Sequence, residues 1–321
     1  MTQAQDALTA PRMRFSDAAQ MPPLLLIATM TALALAFNQW TQLRWLTPAY
    51  QLIWMPALCC ASIVIYATRR SQPAIRETGI YLGFWLFYPL FAAQLTYIAT
   101  VTKFPLQDAL FIRLDGMLGF VWGDWMKFSL DNPLLLAVQQ FAYDSSYWQP
   151  LLYVPFFALF GPRGRNGEFL TAMLLGLIAT ILIYMFLPTL GPADMAGQKA
   201  EQGQIIRALR VGSVGPYPYF GIVSFPSFHT VMALLFIVAH RGNRITFPVV
   251  LAFNLVMLTA IPYSGDHYLT DMIAGGMIAL AAFAAARLYY RRFDEAVPSV
   301  WTGPFAATKD PVCVPKAPET A

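Results

Sequence analysis

Apolar residues run through most of this chain in blocks of about twenty, broken by short polar segments. A block of that length crosses the hydrocarbon core of a bilayer as a helix, at a rise of about 1.5 Å per residue. Lipid offers the backbone no hydrogen-bond partners, so each block must satisfy its own amides by coiling. Composition agrees. Of 321 residues, 57% are hydrophobic and 12% charged, about half the charge of a soluble domain. We therefore expect an all-α polytopic membrane protein with about eight transmembrane helices. Their expected positions are about 22–40, 50–68, 79–101, 134–160, 168–188, 227–240, 245–263 and 267–290. The net charge of +4 does not point to nucleic acid, because Lys and Arg are scattered through loops where they orient the spans. Cys59 and Cys60 are adjacent in an apolar run and Cys313 lies in the tail, with neither metal-ligand nor disulfide spacing.

The chain divides into a tail (1–21), three N-terminal spans (22–101), an outer loop (102–133), a membrane core (134–291) with its own long outer loop (189–226), and a tail (292–321). The first span has a second reading as a signal peptide, with Arg12 and Arg14 before it and Ala32-Leu33-Ala34 or Ala34-Leu35-Ala36 as cleavage sites. Its length favours an uncleaved span. Arg69, Arg70, Arg76, Arg163, Arg165, Arg241, Arg244, Arg287, Arg291 and Arg292 stand close to span ends on the same side as Arg12 and Arg14. The other side spreads Arg44, Lys103, Arg113, Lys127, Lys199, Arg207 and Arg210 through longer loops. Density near span ends makes the first side, with both termini, cytoplasmic. In the loop 102–133, Leu106, Leu110, Leu114 and Leu118 recur at helical spacing, which predicts an amphipathic helix along the interface. The tryptophans read as interfacial anchors. The loop 189–226 repeats Gly and Pro, and its length favours a functional role.

Two of the three histidines stand in polar motifs at the starts of apolar spans. One is Phe225-Pro226-Ser227-Phe228-His229-Thr230, the other Ser264-Gly265-Asp266-His267-Tyr268-Leu269-Thr270-Asp271. In the orientation above both face outward, to the periplasm in a bacterium. Imidazole moves protons near neutral pH and attacks phosphorus covalently. His267 and Asp271 are four residues apart, one helical turn on a shared face, where a carboxylate fixes the imidazole tautomer. Ser227 suits a helix N-cap, and Asp266 or Ser264 suits the same role at the last span. Free N–H groups at a helix start attract phosphate, so two helix mouths with an imidazole each suggest phosphoryl transfer. The same residues read otherwise as two interfacial histidines, or as a two-His-one-carboxylate metal set of His229, His267 and Asp271. His240 reads as an anchor at the opposite face. Asp144 lies inside the fourth span beside Tyr143 and Tyr147, where a carboxylate lines a cavity or bonds a neighbouring helix.

These motifs resemble those of the type 2 phosphatidic acid phosphatase superfamily of lipid phosphatases and phosphotransferases, above all its inositol-phosphorylceramide synthase and sphingomyelin synthase branches. Pro226-Ser227-Phe228-His229 is similar to the first motif, and His267, Tyr268 and Asp271 to the second. The resemblance covers about 134–290, and the stretch Leu106 to Trp125, with Asp108, Asp115, Gly119 and Trp122, is similar to loops of bacterial members. It implies a six-helix core, an outward-facing site, and neither metal nor cofactor. It implies His267 as the nucleophile, Asp271 as its orienting partner and His229 as general acid and base, acting between a phospholipid donor and a lipid alcohol acceptor. Phosphoryl transfer needs cations on the phosphate oxygens; Lys199, Arg207 and Arg210 are the candidates, with Ser227, Asp144 and Tyr268 as further substrate-binding candidates.

The departures carry information. Ile261 stands where phosphatases of the superfamily have Arg, six residues before the second histidine, and Phe228 stands where they have Gly. Their Lys and Arg-Pro signature is met only by Lys199 and Arg207, with seven residues between and Ala208 following. These differences favour a phosphotransferase that moves a phospho-head group to a ceramide- or diacylglycerol-like alcohol through a phosphohistidine. A lipid phosphatase is the alternative. A non-catalytic transporter or scaffold is the other, and it would show polar or broken helices near the midplane, where Asp144 is the main such residue.

Overall fold

The computed structural model describes residues 15–47, 49–162, 164–198 and 200–291. Arg12, Arg14, Arg163, Lys199, Arg292, Cys313 and the expected tail 292–321 lie outside the described residues. Each expected span is a helix. The first three are α1 (Phe15–Thr41), α2 (Ala49–Arg69) and α3 (Pro73–Val101). Two short helices, α4 (Asp108–Met117) and α5 (Trp122–Leu130), precede α6 (Pro133–Phe160) and α7 (Arg165–Phe186). The long loop folds as α8 (Pro192–Met195) and α9 (Glu201–Arg210), and the chain ends with α10 (Phe228–Ala239), α11 (Thr246–Ser264) and α12 (Leu269–Tyr290). Pro73 and Pro133 open their helices where the missing N–H costs nothing. Among the described residues there is no strand, only an isolated bridge between Trp45 and Tyr217.

Among the described residues, six helices are long and apolar enough to cross a membrane: α1, α2, α3, α7, α11 and α12. The other two expected spans differ for separate reasons. α6 has the length but carries Gln139, Gln140, Asp144, Ser145, Ser146 and Gln149. α10 is apolar but has 12 residues, about 18 Å against a hydrocarbon core of about 30 Å. A helix apolar all round is a core element, and α10 packs against α7, α11 and α12, with Val231, Ala233, Leu235 and Phe236 all buried. A Cβ on Gly176 of α7 would touch Val231. Beyond that contact α7 runs on to Phe186, about 15 Å, whereas α10 begins within a turn, at Phe228. The N-terminus of α10 is thus recessed below the end of its neighbour.

The end of the bundle away from the histidine motifs is tied by short turns and buried polar groups. Glu168 of α7 receives Arg241 at 2.5 Å and Arg287 at 3.5 Å, and the Tyr289 and Tyr290 hydroxyls donate to the Ala18 and Ala19 carbonyls of α1. His240 stands at the opposite face, where the sequence put it, but its side chain is buried. α10 stops one residue before it, and the imidazole is buried among Tyr153, Phe156 and Phe157 with Nδ1 on Thr246 Oγ1 at 2.9 Å. Deeper in the bundle, Gln149 Oε1 accepts from Asn254 Nδ2 at 3.0 Å and from the Tyr153 hydroxyl at 2.6 Å, joining α6 to α11. Such pairs hold helices together where the alternative is an unsatisfied amide in lipid. The sequence reading had singled out only Asp144 for polar character inside the spans.

The loop 102–133 contains the expected helix, and its other face carries buried carboxylates that the leucine spacing did not announce. Leu110 and Leu118 are exposed, and the buried residues of α4 are Asp108, Phe111 and Asp115. Buried carboxylates require partners, and theirs belong to the site. The indoles of Trp122 and Trp125 in α5 also point inward, donating to the Pro262 and Thr259 carbonyls of α11.

Candidate active site

Both histidine motifs lie at one end of the bundle, and main-chain hydrogen bonds join them. Ser227 is the N-cap of α10, extended at φ −69° and ψ 109°, with its Oγ accepting the Thr230 N–H at 3.3 Å. Its own N–H donates to the Asp271 carbonyl at 3.0 Å, on the first turn of α12. The helices come this close because residue 275 is glycine: a Cβ there would run into the Ser227 carbonyl and meet Thr230 Cβ at 3.0 Å. Ser227 is fully buried. Its hydroxyl is committed to the cap.

The second motif turns between α11 and α12 through Asp266, which has a positive φ of 52°. Tyr268 is the N-cap of α12, extended, and carboxylates accept its own N–H and those of the next two residues. Asp115 Oδ2 accepts the Leu269 N–H at 2.8 Å, and Asp115 Oδ1 accepts the Thr270 N–H at 2.9 Å and the Thr270 hydroxyl at 2.5 Å. Asp271 Oδ2 accepts the Tyr268 N–H at 3.0 Å. Neither Ser264 nor Asp266 caps this helix, contrary to the sequence reading. The expected anion-binding N–H groups of α12 are already occupied. Asp266 Oδ1 instead accepts the Ala193 N–H at 2.6 Å, tying α8 to the motif. Burial pushes the Asp266 carboxyl up to about 7, against the Ala193 N–H, which favours the charged form.

Asp271 is fully buried and its Oδ2 also lies 3.2 Å from His267 Nδ1 and 3.2 Å from the Ser224 hydroxyl. Burial holds the His267 imidazole down at about 4, with the Ser224 carbonyl acting in the opposite sense. At neutral pH the imidazole is therefore uncharged, and its contact with Asp271 is a hydrogen bond rather than an ion pair. With Asp271 ionised, its carboxylate accepts only, which puts the ring proton on Nδ1 and leaves Nε2 its lone pair. The His229 ring is 6.1 Å from the His267 ring, centroid to centroid, at 64°. A phosphorus within about 3.5 Å of one nitrogen, with a leaving oxygen about 3 Å from the other, suits that gap. Tyr143 of α6 closes the group, its hydroxyl 3.2 Å from His229 Nδ1. Gly265 is where these rings converge: a Cβ there would meet His267 Cδ2 at 2.8 Å and Tyr143 Cε2 at 3.2 Å.

The structure brings together His229, His267, Asp271 and the cap Ser227. It places the other candidates differently. Tyr268 is buried, its hydroxyl donating to Asp108 Oδ1 at 3.0 Å, and Asp108 also accepts the Leu190 and Gly191 N–H groups at 3.0 and 3.1 Å. Asp144 is exposed on α6 and accepts from Gln140 Nε2 at 2.9 Å. Arg207 pairs with Asp194, and Arg210 donates to the Phe104 carbonyl at 2.9 Å. Neither guanidinium is on the histidine pair. Among the described residues, no three or more of His, Cys, Asp and Glu are grouped so as to hold a metal ion. The sequence reading did not single out Tyr143, Ser224 or Gly265, which the structure places against the histidines and Asp271. Asp108 and Asp115, two helical turns apart, carried a periodic signal that the leucine stripe of α4 outweighed.

A neutral imidazole beside a carboxylate and facing a second imidazole has the groups that nucleophilic attack and proton donation require. The chain matches the PAP2 superfamily over residues 109–285, more than half its length, and belongs to that superfamily. Membership supports an enzyme of the lipid phosphatase or phosphotransferase type. The match begins at the second residue of α4, so Asp115 falls inside it. No curated protein and no solved structure matches the chain.

Proposed function

We propose that this protein is a membrane lipid phosphotransferase of the inositol-phosphorylceramide synthase or sphingomyelin synthase kind. It moves a phospho-head group from a phospholipid to a ceramide- or diacylglycerol-like alcohol. His267 Nε2 attacks the donor phosphorus, the bond from phosphorus to the donor's lipid oxygen breaks, and His229 Nε2 gives that oxygen its proton. The head group is then held on His267. The acceptor hydroxyl passes its proton to His229 and attacks phosphorus, and the P–N bond breaks. Asp271 keeps Nδ1 of His267 protonated and the ring aligned throughout.

The observation that carries transfer over phosphatidate hydrolysis is charge. Asp108, Asp115 and Asp194 crowd this end of the bundle, while Arg207 and Arg210 bond elsewhere. A phosphomonoester brings about −1.5 to −2 charges at neutral pH, and a phosphodiester donor brings one. Ile261, fully buried, supplies no cation at the position where phosphatases have Arg. Recession of α10 and burial of His267 and Asp271 also keep water from competing with an alcohol. We further propose that α4 belongs to the catalytic unit and that the site opens on the outer face with both termini cytoplasmic. Arg69, Arg70, Arg165, Arg241, Arg244, Arg287 and Arg291 support this, all standing at the opposite end.

Purified enzyme in lipid nanodiscs, given head-group-labelled phospholipids with and without ceramide or diacylglycerol, tests the reading. Transfer to the alcohol should occur with EDTA present. Phosphate release from phosphatidic acid with no acceptor would make it a phosphatase, and activity lost to EDTA and restored by zinc would make it a metalloenzyme. No turnover of any donor would support a non-catalytic role.

A further inference from the structure

The two imidazoles have partners of different kinds, and the difference assigns a task to a residue outside both motifs. His267 Nδ1 faces the Asp271 carboxylate, whose Oδ2 also accepts from Ser224 and from the Tyr268 N–H. His229 Nδ1 faces the hydroxyl of Tyr143 at 3.2 Å, and the two rings lie 4.4 Å apart at 32°. A carboxylate accepts only, whereas a phenol both donates and accepts. Toward neutral His229 the Tyr143 hydroxyl can donate to Nδ1. Toward the imidazolium it can accept from Nδ1–H. A carboxylate in its place would favour the imidazolium and so weaken it as an acid; the phenol adds no charge.

We propose that Tyr143 is a positioning residue for His229. Its hydroxyl holds Nδ1 in both protonation states, keeps Nε2 directed at the phosphorus on His267, and leaves the imidazolium a competent proton donor. The inference rests on the reading of the histidine pair as nucleophile and acid. The proton balance closes over one turnover. Once protonated, His229 gives its Nε2 proton to the leaving oxygen and retains Nδ1–H on Tyr143, then regains a proton at Nε2 from the acceptor hydroxyl. The other ionisable groups facing this pair are His267 and Asp266 on the α11–α12 turn and Asp144 and Tyr147 on α6. Gly265 leaves the space in which the Tyr143 and His267 rings meet.

Tyr143→Phe keeps the ring and removes the hydroxyl. With a natural phospholipid donor its kcat should fall about 10- to 100-fold, part of the range general-acid help supplies, with donor KM little changed. With a p-nitrophenyl phosphodiester, whose leaving group needs no proton, the loss should stay below about 3-fold and label should still accumulate on His267. On a His229→Ala background the same change should add nothing. Incorporating 3-fluorotyrosine at 143 preserves shape and makes the hydroxyl a weaker acceptor, so the basic limb of the natural-donor pH profile should move to lower pH. Equal losses with both donors, additivity with His229→Ala, or an unmoved limb would make Tyr143 merely structural. If Tyr143→Phe does not fold, the fluorotyrosine limb decides. Wild-type enzyme that acquires no label from any donor would remove the histidine reading itself; labelled wild type with no donor-selective effect of Tyr143→Phe removes this inference alone.

Discussion

His267 and His229 are chemically identical side chains that the fold makes unlike. Buried Asp271 forces the proton of His267 onto Nδ1, whereas Tyr143 makes no such demand of His229. His267→Ala should therefore abolish both turnover and acid-labile label, with no rescue by activated donors. His229→Ala should lose about 10²- to 10⁴-fold with natural donors and recover with good leaving groups. Asp271→Asn should fall between. Label persisting in His267→Ala would reverse the assignment. Asp266 gives a stability test whose sign can be worked out. Its carboxyl is raised from 3.8 to about 7 in the folded chain, so between those values the folded state holds a proton that the unfolded state has lost. Its contribution therefore weakens as pH rises from about 4 to 7. Asp266→Asn, which keeps an acceptor for the Ala193 N–H, removes that slope. Its thermal midpoint in detergent should gain on wild type across this window, and a parallel pair of curves would show that the carboxyl is not buried as described. His267 acts in the opposite sense. Its folded value of about 4 lies below the ordinary 6.5, so the stability it lends is present above 6.5 and is lost as pH falls toward 4.

The meeting of α10 and α12 depends on what is missing from their contact. An exposed helical Gly→Ala change stabilises by about 1 kcal/mol through propensity. Gly275→Ala should do the reverse, because its methyl group enters the space of the Ser227 carbonyl and separates the two motifs. The expected outcome is a lower thermal midpoint together with loss of label on His267. A more stable, fully active Gly275→Ala enzyme would mean that the helices are not in contact there. α4 is the other element whose role the fold reassigns. Its leucines suggested an apolar face turned to the membrane interface, and part of that stripe is indeed exposed. The unforeseen part is the opposite face, where Asp108 braces the turn at Leu190 and Gly191 and the Tyr268 hydroxyl, and Asp115 caps α12 just past His267.

Helix polarity places the histidine motifs, α4, α5, α8 and α9 at one end of the bundle and the Glu168 cluster at the other. With Cys59, Cys60 and Cys313 replaced by Ser, a single cysteine at exposed Val211 should react with an impermeant reagent in intact cells. One at exposed Arg244 should not. Labelling at 244 alone would turn the site to the cytoplasm. Much of this was legible along the chain. Span positions follow from apolar run length, because lipid enforces helix locally. The His267–Asp271 pair follows from one turn of helix, and the Ser227 cap from residue type and place. α10 matches its apolar run to within a residue at each end, and that run is too short to span the bilayer. What stayed hidden was which group each polar atom finds. Tyr143 is 86 residues from His229, and Asp115 is 154 from Leu269. Such separations leave no periodic trace. Residue chemistry sets what a side chain can donate or accept, but packing of distant helices selects the partner, and in this site it gives one imidazole a carboxylate and the other a phenol.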